Sequence, residues 1–247
     1  MRKRIYKHVS GSDEDCFTIS ISDLMAGLLS IFILVLIAFA LNFKAHNDKL
    51  ISNQEIRTQM LERIDRELKG QNILSIEVKK DIGVINFPST SLFTKGNDKL
   101  SPQGQTLIKK FTIILYKVLN DENYKGKVET VFIEGHTDGD NYATQLERIG
   151  RDNWWLSTQR AIATWKLMKA TKKEVESELK NSSGQPLFSC SGYADTRPLA
   201  VETQGGKQVQ EAAKERNRRI AFRITMMPPK AEVFSTENPD IKNQEDK

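Results

Sequence analysis

The sequence is poor in the residues that staple or metallate small domains. It has two cysteines, Cys16 and Cys190, and three histidines among 247 residues, at no spacing that a disulfide framework or a metal site requires. It also lacks the broad positive surface that its formal charge of +5 suggests. Arg2, Lys3, Arg4 and Lys7 supply four of those charges and the rest of the chain carries about +1, which argues against a nucleic-acid-binding face. No internal repeat is present. No nucleophile or third group stands at motif spacing from His136 and Asp138, so neither an enzyme nor a cofactor is expected. Between Lys44 and Lys69 there is no glycine or proline, which excludes ordinary loop chemistry and predicts helix.

What the sequence does have is one long apolar run. The eighteen residues from Leu24 to Leu41 carry no charge, enough to cross a bilayer as a helix. Basic residues before the run and none of comparable density just after it predict an N-terminus inside and a C-terminus outside, the arrangement of a single-pass inner-membrane anchor. A cleaved signal peptide, with Ala38-Phe39-Ala40 as its processing site, is the competing reading, but the run exceeds the usual ~7–15 residues of such a segment. In this topology Cys16 and Cys190 lie on opposite sides of the membrane and cannot pair; Cys190 reads as a small strand residue.

Asp23 sits at the inner end of the run. A carboxylate in apolar surroundings is costly, and such residues usually face a protein interior or an ion path. Loss of water favours the neutral acid, which suits a group that loads and releases a proton. Gly27 and Ser30 follow at i+4 and i+7, so one helix face combines an acid, a small residue and a hydroxyl, suited to close packing against partner helices.

Beyond the span, residues 44–70 read as a helical linker, a short coiled coil or a plug, with Leu50, Leu61, Ile64 and Leu68 as a stripe interrupted by Gln54 and Arg57. From residue 71 the pattern becomes mixed. "ILSIEVKKDIGVINF" predicts a hairpin about Asp81-Ile82-Gly83. Ser101-Pro102 offers an N-cap and a first helical residue before "LIKKFTIILYKVL". A strand is expected from Val128 to Gly135. A helix follows from Asn153 to Lys169 with Ala161, Ile162, Trp165 and Met168 on its core face. A strand at "LFSCSGY", a helix at "KQVQEAAKERNR" and a closing strand at "RIAFRIT" complete the domain. Three or four strands alternating with helices give a mixed sheet with helices packed against it, an α+β or α/β sandwich. The seventeen residues from Asp138 to Trp154 are a long connection for so economical a domain, and long loops are often functional. After Met227 a Pro-Pro pair and a polar, acidic run predict a disordered tail, 228–247.

Four blocks, "IEGHTD" (133–138), "NWWLSTQRA" (153–161), "GYADTRP" (192–198) and "NRRI" (217–220), resemble in order the OmpA-like peptidoglycan-binding domain, here residues 71–227. A short segment 1–16, a span 17–43 with an acid near its inner end, a linker and such a domain together resemble the B subunits of ion-driven stators, the family of the flagellar protein MotB. "SDLMAGLLSIF" and the short linker most resemble the B subunits of Zorya anti-phage defence systems, and the aromatic-rich span usual in the flagellar subunit is absent.

The resemblance implies a homodimer within a ring of multi-span A subunits, held to the peptidoglycan stem peptide, with Asp23 conducting protons. It implies that Asp138 and Arg160 take the ammonium and carboxylate of a diaminopimelate end, an acid and a forked base at fixed separation. Asn153, Leu156 and Arg160 share one helical face near the helix N-terminus. Arg218 and Arg219 belong to the same signature, and for them a salt-bridge role stays open beside ligand contact.

Overall fold

The computed structural model describes residues 12–94, 96–140, 150–201 and 206–228. The chain divides into two units, one containing residues up to Lys49 and the other Leu50–Lys230.

In the first unit the described residues belong to α1 (Ser12–Gly70). The segment is apolar and long enough to cross a membrane, and none of its apolar window is buried within the chain. Leu24, Leu28, Phe32, Val35, Phe39 and Phe43 all stand more than half exposed, the state expected of side chains whose solvent is lipid.

The second unit is built on a five-stranded sheet. β1 (Glu77–Lys79) and β2 (Val84–Pro88) form the expected hairpin, turning where Gly83 takes φ +76°, a conformation that costs glycine nothing. α2 (Ser89–Leu92) and α3 (Pro102–Leu119) follow. Ser101 caps α3, accepting from Gly104 N at 3.0 Å, with Pro102 in the first turn. β3 (Val128–His136), α4 (Asn153–Thr171), α5 (Glu174–Ser177), β4 (Phe188–Gly192), α6 (Lys207–Asn217) and β5 (Arg219–Met226) complete the order. The spatial order is β1-β2-β5-β3-β4. Only β3 and β4 are parallel, joined by the α4 crossover; the other pairs are antiparallel.

Strand period two then assigns the faces. Ile85, Phe87, Val131, Ile133, Ile220, Phe222 and Ile224 turn to the helices and are buried at 4% exposure or less. Phe87, Phe111 and Phe222 meet edge to face at 4.8–5.3 Å, an arrangement worth roughly 0.5–1.5 kcal/mol per pair beyond area burial. The opposite face carries Asn86, Glu134, His136, Arg219 and Arg223 in register.

Three expectations change. The sheet has five strands rather than three or four, because both strands of the hairpin join the same sheet as the three later strands. Residues 44–70, read as a helical linker, a short coiled coil or a plug, all belong to α1, and Met60, Leu61, Ile64 and Leu68 among them are buried at 1% or less in the core shared with α3; Leu50 is exposed. Arg63 pairs with Asp121 at 2.6 Å and Lys117 with Glu67 at 2.6 Å, so polar residues beside the stripe find partners on the domain and the stripe need not be continuous. On α4, Ala161 and Met168 are buried as expected, but Ile162 and Trp165 are only half-buried while Arg160 and Thr164 are buried. Cys190 lies half-buried in β4, and burial pushes its thiol up to about 11, leaving little thiolate near neutral pH. The tail beyond Pro228 and the segment before Ser12 lie outside the described residues.

Candidate functional site

The site gathers where β3 ends and α4 begins. Two glycines set how closely they meet. A Cβ on Gly135 would lie 1.9 Å from Ser157 O, and one on Gly192 would lie 2.2 Å from Thr158 Oγ1, so the strands carry α4 directly on their backbones. Asp152, not Asn153, caps α4, accepting from Trp155 N at 2.8 Å. That frees the Asn153 amide, which donates to Asp140 O at 3.0 Å and, more weakly, to Asp138 O at 3.5 Å. The start of the long loop is thereby tied to the helix N-terminus. Residues 141–149 of that loop lie outside the described residues.

A second strap comes from the "GYADTRP" segment. Tyr193 N donates to Gly135 O at 2.9 Å and Thr137 N to Ala194 O at 2.8 Å. Ala194 sits at φ +47°, a strained conformation for a residue with a Cβ, and its N–H donates to Ser157 Oγ at 3.1 Å. Ser157 therefore joins "GHTD", "LSTQR" and "GYAD" at one point. Nothing in its spacing announced that role; only the fold brings the three blocks together.

Asp138 and Arg160 are buried, at 8% and 4% exposure, and Leu156 is buried at 4%. Arg160 is no solvated surface charge. Its Nε donates to Asn97 O at 2.9 Å and its guanidinium lies over the Phe93 ring at 5.1 Å, so the fork is held in place. Asp138 accepts from Arg218 Nη1 at 2.5 Å, and Arg218 Nη2 also donates to Glu211 at 3.0 Å. Of the two roles left open for Arg218, the salt bridge is present. Lys214 pairs with Asp140 at 2.5 Å. Arg219 donates instead to the carbonyls of Asn217 and Arg197.

Behind this rim lies an ionic pair. Glu134, 1% exposed, takes the Arg223 fork at 2.8 and 2.9 Å. His136 Nε2 stands 3.7 Å from Glu134 Oε2, beyond hydrogen-bond reach, and its ring stacks on Tyr193 at 5.3 Å. Burial alone would raise the Glu134 carboxyl, but His136 and the Arg223 fork more than reverse this and hold it at about 2. Burial, opposed by Glu134, lowers His136, which favours the neutral ring.

Both shifts carry the same sign for stability. As pH falls through ~6.5 the unfolded chain takes up a proton at His136 that the folded chain resists, and below ~4.5 the same holds at Glu134 down to about 2. Stability present at pH 7 is thus lost in two stages on acidification. Thermal melts of the full chain in detergent between pH 7.5 and 3 are expected to show a falling midpoint, and His136→Gln is expected to flatten the limb above pH 5.

At the other end of the chain, Asp23, Gly27 and Ser30 are exposed on α1. A Cβ on Gly27 would meet nothing within 4 Å, and Ser30 donates to Ala26 O at 2.8 Å, satisfying its hydroxyl in an apolar setting. Among the described residues no cluster of His, Cys, Asp and Glu could hold a metal ion.

No family model matches the chain. In sequence it is similar to the Zorya protein ZorB of Escherichia coli, 28% identical over 232 residues that cover 91% of this chain and 94% of that one. It is also similar to the uncharacterized protein YtxE of Bacillus subtilis, 25% identical over 174 residues, 69% of this chain and 61% of that one. Its fold is similar to that of a MotB-like protein from Desulfovibrio vulgaris, with a TM-score of 0.54 at 15% identity over 71% of this chain and 94% of that one. The chain is thus similar over nearly its whole length to a Zorya B protein, and joins an apolar helix long enough to span a bilayer to a domain with the fold of a MotB-like protein.

Proposed function

We propose that the chain is the B subunit of a peptidoglycan-anchored inner-membrane motor driven by the proton-motive force, of the Zorya anti-phage kind. Its single span would run from a cytoplasmic N-terminus to a periplasmic domain, with two copies enclosed by a ring of multi-span A subunits. The observation that carries this reading is the reach of the ZorB similarity, which covers 91% of the chain and so takes in both the acid-bearing span and the outer domain.

The outer domain would grip a stem peptide. Arg160, held by Asn97 and Phe93, presents a fork to a carboxylate, and Asp138, steadied by Arg218, accepts an ammonium beside it. Asn153 and Leu156 shape the floor. Held by the wall, the dimer stays fixed while the ring turns, and Asp23 passes protons between outer and inner access paths; each proton crossing the field releases ~2.3 kcal/mol per 100 mV. This is positioning and proton transfer, not covalent catalysis.

Purified sacculi test the grip. Full-length protein in detergent is expected to be retained, and Arg160→Ala to weaken retention roughly tenfold or more, the size of a lost charged hydrogen bond. Arg160→Lys, which keeps the charge without the fork, is expected to rescue it only in part, and matched melting temperatures separate lost binding from lost folding. Proton flux through vesicles holding both A and B chains separates the motor from a passive tether. Retention without flux would leave only the tether.

A further inference from the structure

The Asp138 carboxylate, the acceptor for a ligand's ammonium, is already occupied by a cation of the same domain. Arg218 Nη1 lies 2.5 Å from its Oδ2, and the Arg218 and Asp138 side chains are 14% and 11% exposed. Arg218 also has a second acid in hand, since Nη2 donates to Glu211 Oε1 at 3.0 Å and the Glu211 side chain is 59% exposed. Glu211, Lys214 and Arg218 follow at i, i+3 and i+7 along the end of α6 and so share one face of it. Lys214, between them, holds Asp140 Oδ1 at 2.5 Å. α6 thus lays two cations on the first two acids of the long loop, with an acid of its own standing by.

The main chain on both sides of the Asp138–Arg218 pair is fixed. Asn153 Nδ2 donates to Asp138 O and Asp140 O, and Thr137 N donates to Ala194 O. Arg218 N donates to Lys214 O, and Arg218 O accepts from Ser89 N at 2.8 Å. What remains adjustable is the Arg218 side chain. Turning about its own torsions, its fork can leave Asp138 and close on Glu211 with both nitrogens, the bidentate geometry that a guanidinium favours. Asp138 stays reachable, because neither of its oxygens is among the sealed, unpartnered side-chain atoms of the described residues, and departure of Arg218 uncovers the oxygen it covers.

Charge decides what can displace it. Two cations on one carboxylate repel at close range, so an incoming ammonium and Arg218 do not share Asp138 while Glu211 offers a second seat. A lone amine from solution competes with a tethered guanidinium, whose effective concentration is at least on the order of millimolar. A ligand whose carboxylate is held at Arg160 brings its ammonium under a tether of its own and competes on equal terms.

We infer that Arg218 is a specificity-determining residue of the wall site: in the unliganded protein it occupies the ammonium seat on Asp138, and it yields that seat, by swinging to Glu211, to an ammonium whose own carboxylate is anchored. The ligand class, an amino-acid end carrying both charges, rests on the stem-peptide reading above.

Calorimetric titration of the full chain in detergent tests it, with meso-diaminopimelate as probe and ethylamine as comparison. The unaltered protein is expected to bind meso-diaminopimelate and to give no heat with ethylamine. Arg218→Met, which removes the competing charge, is expected to bind meso-diaminopimelate at least threefold more tightly. Glu211→Gln, an exposed change that takes away the second seat, is expected to bind it at least threefold more weakly. Opposite signs mark competition, whereas a merely structural Arg218 would weaken binding when lost. Arg218→Met is also expected to melt below the unaltered protein in buffer, since Asp138 is left buried without a cation, and to gain more from added meso-diaminopimelate. Unchanged or weaker binding by folded Arg218→Met, or unchanged or tighter binding by Glu211→Gln, would overturn the displacement and leave the stem-peptide site standing; if Arg218→Met does not fold, Glu211→Gln decides alone. No binding of meso-diaminopimelate by the unaltered protein or either variant would overturn the stem-peptide site and this inference with it.

Discussion

Asp23→Asn is expected to reduce proton flux through the assembled A and B complex to the level of vesicles lacking it, with the amount of complex recovered unchanged. The amide is nearly isosteric with the acid, so helix packing at this face is preserved, but it cannot gain or lose a proton. Its neighbours support the split between assembly and conduction. Gly27 leaves room for another backbone, and the Ser30 hydroxyl is already satisfied by Ala26 O, so neither depends on the charge at position 23. Asp23→Glu, which restores the acid on a longer arm, is expected to recover part of the flux. The measurement is quenching of a pH dye in vesicles energised with a potassium gradient. Undiminished flux in Asp23→Asn would remove this residue from the ion path, and loss of the complex itself would assign it to assembly.

Gly135→Ala is expected to be the most damaging single methyl in the outer domain. The added Cβ would sit 1.9 Å from Ser157 O and 2.7 Å from Ser157 C. These are backbone atoms of α4, so relief requires the helix to lift from β3 rather than a side chain to turn. Overpacking of this kind costs roughly 3 kcal/mol or more, a fall in melting temperature of roughly 6–12 °C for a domain of this size. Wall retention should fall with it, because lifting α4 also strains the Ser157 Oγ contact with Ala194 N and moves Arg160, which α4 carries. Gly126→Ala, where no atom lies within 4 Å but φ is +74°, separates backbone strain from steric exclusion and is expected to cost only ~1 kcal/mol.

Much of this architecture is legible in local chemistry. Ser101-Pro102 starts α3 where a cap and a fixed φ predict, and the hairpin turns at Gly83 because the turn needs positive φ. What was not legible depends on contacts distant in sequence. The stripe Leu61, Ile64 and Leu68 looks broken at Gln54 and Arg57, yet Arg57 reaches Asp81 O at 2.8 Å beside the hairpin, and Asn53 donates to Met227 O at 2.8 Å. Arg57, which interrupts the apolar pattern, is itself a domain contact. At the site, the four blocks marked the neighbourhood, but no spacing told that Arg218, 80 positions away, closes on Asp138. Asn153 is of a type that caps helices, but Asp152 takes that duty, which leaves Asn153 to hold the loop.

The order β1-β2-β5-β3-β4 puts the strand that comes last among the described residues at the centre in space. Until residues 219–226 arrive, the β1-β2 hairpin and the β3-β4 pair have no shared neighbour and cannot close one sheet. A chain emerging from the ribosome therefore cannot complete this domain early, since its most distant pairings must form last. Any change that weakens this one strand therefore leaves two half-sheets with unpaired edges, each open to pairing with another chain.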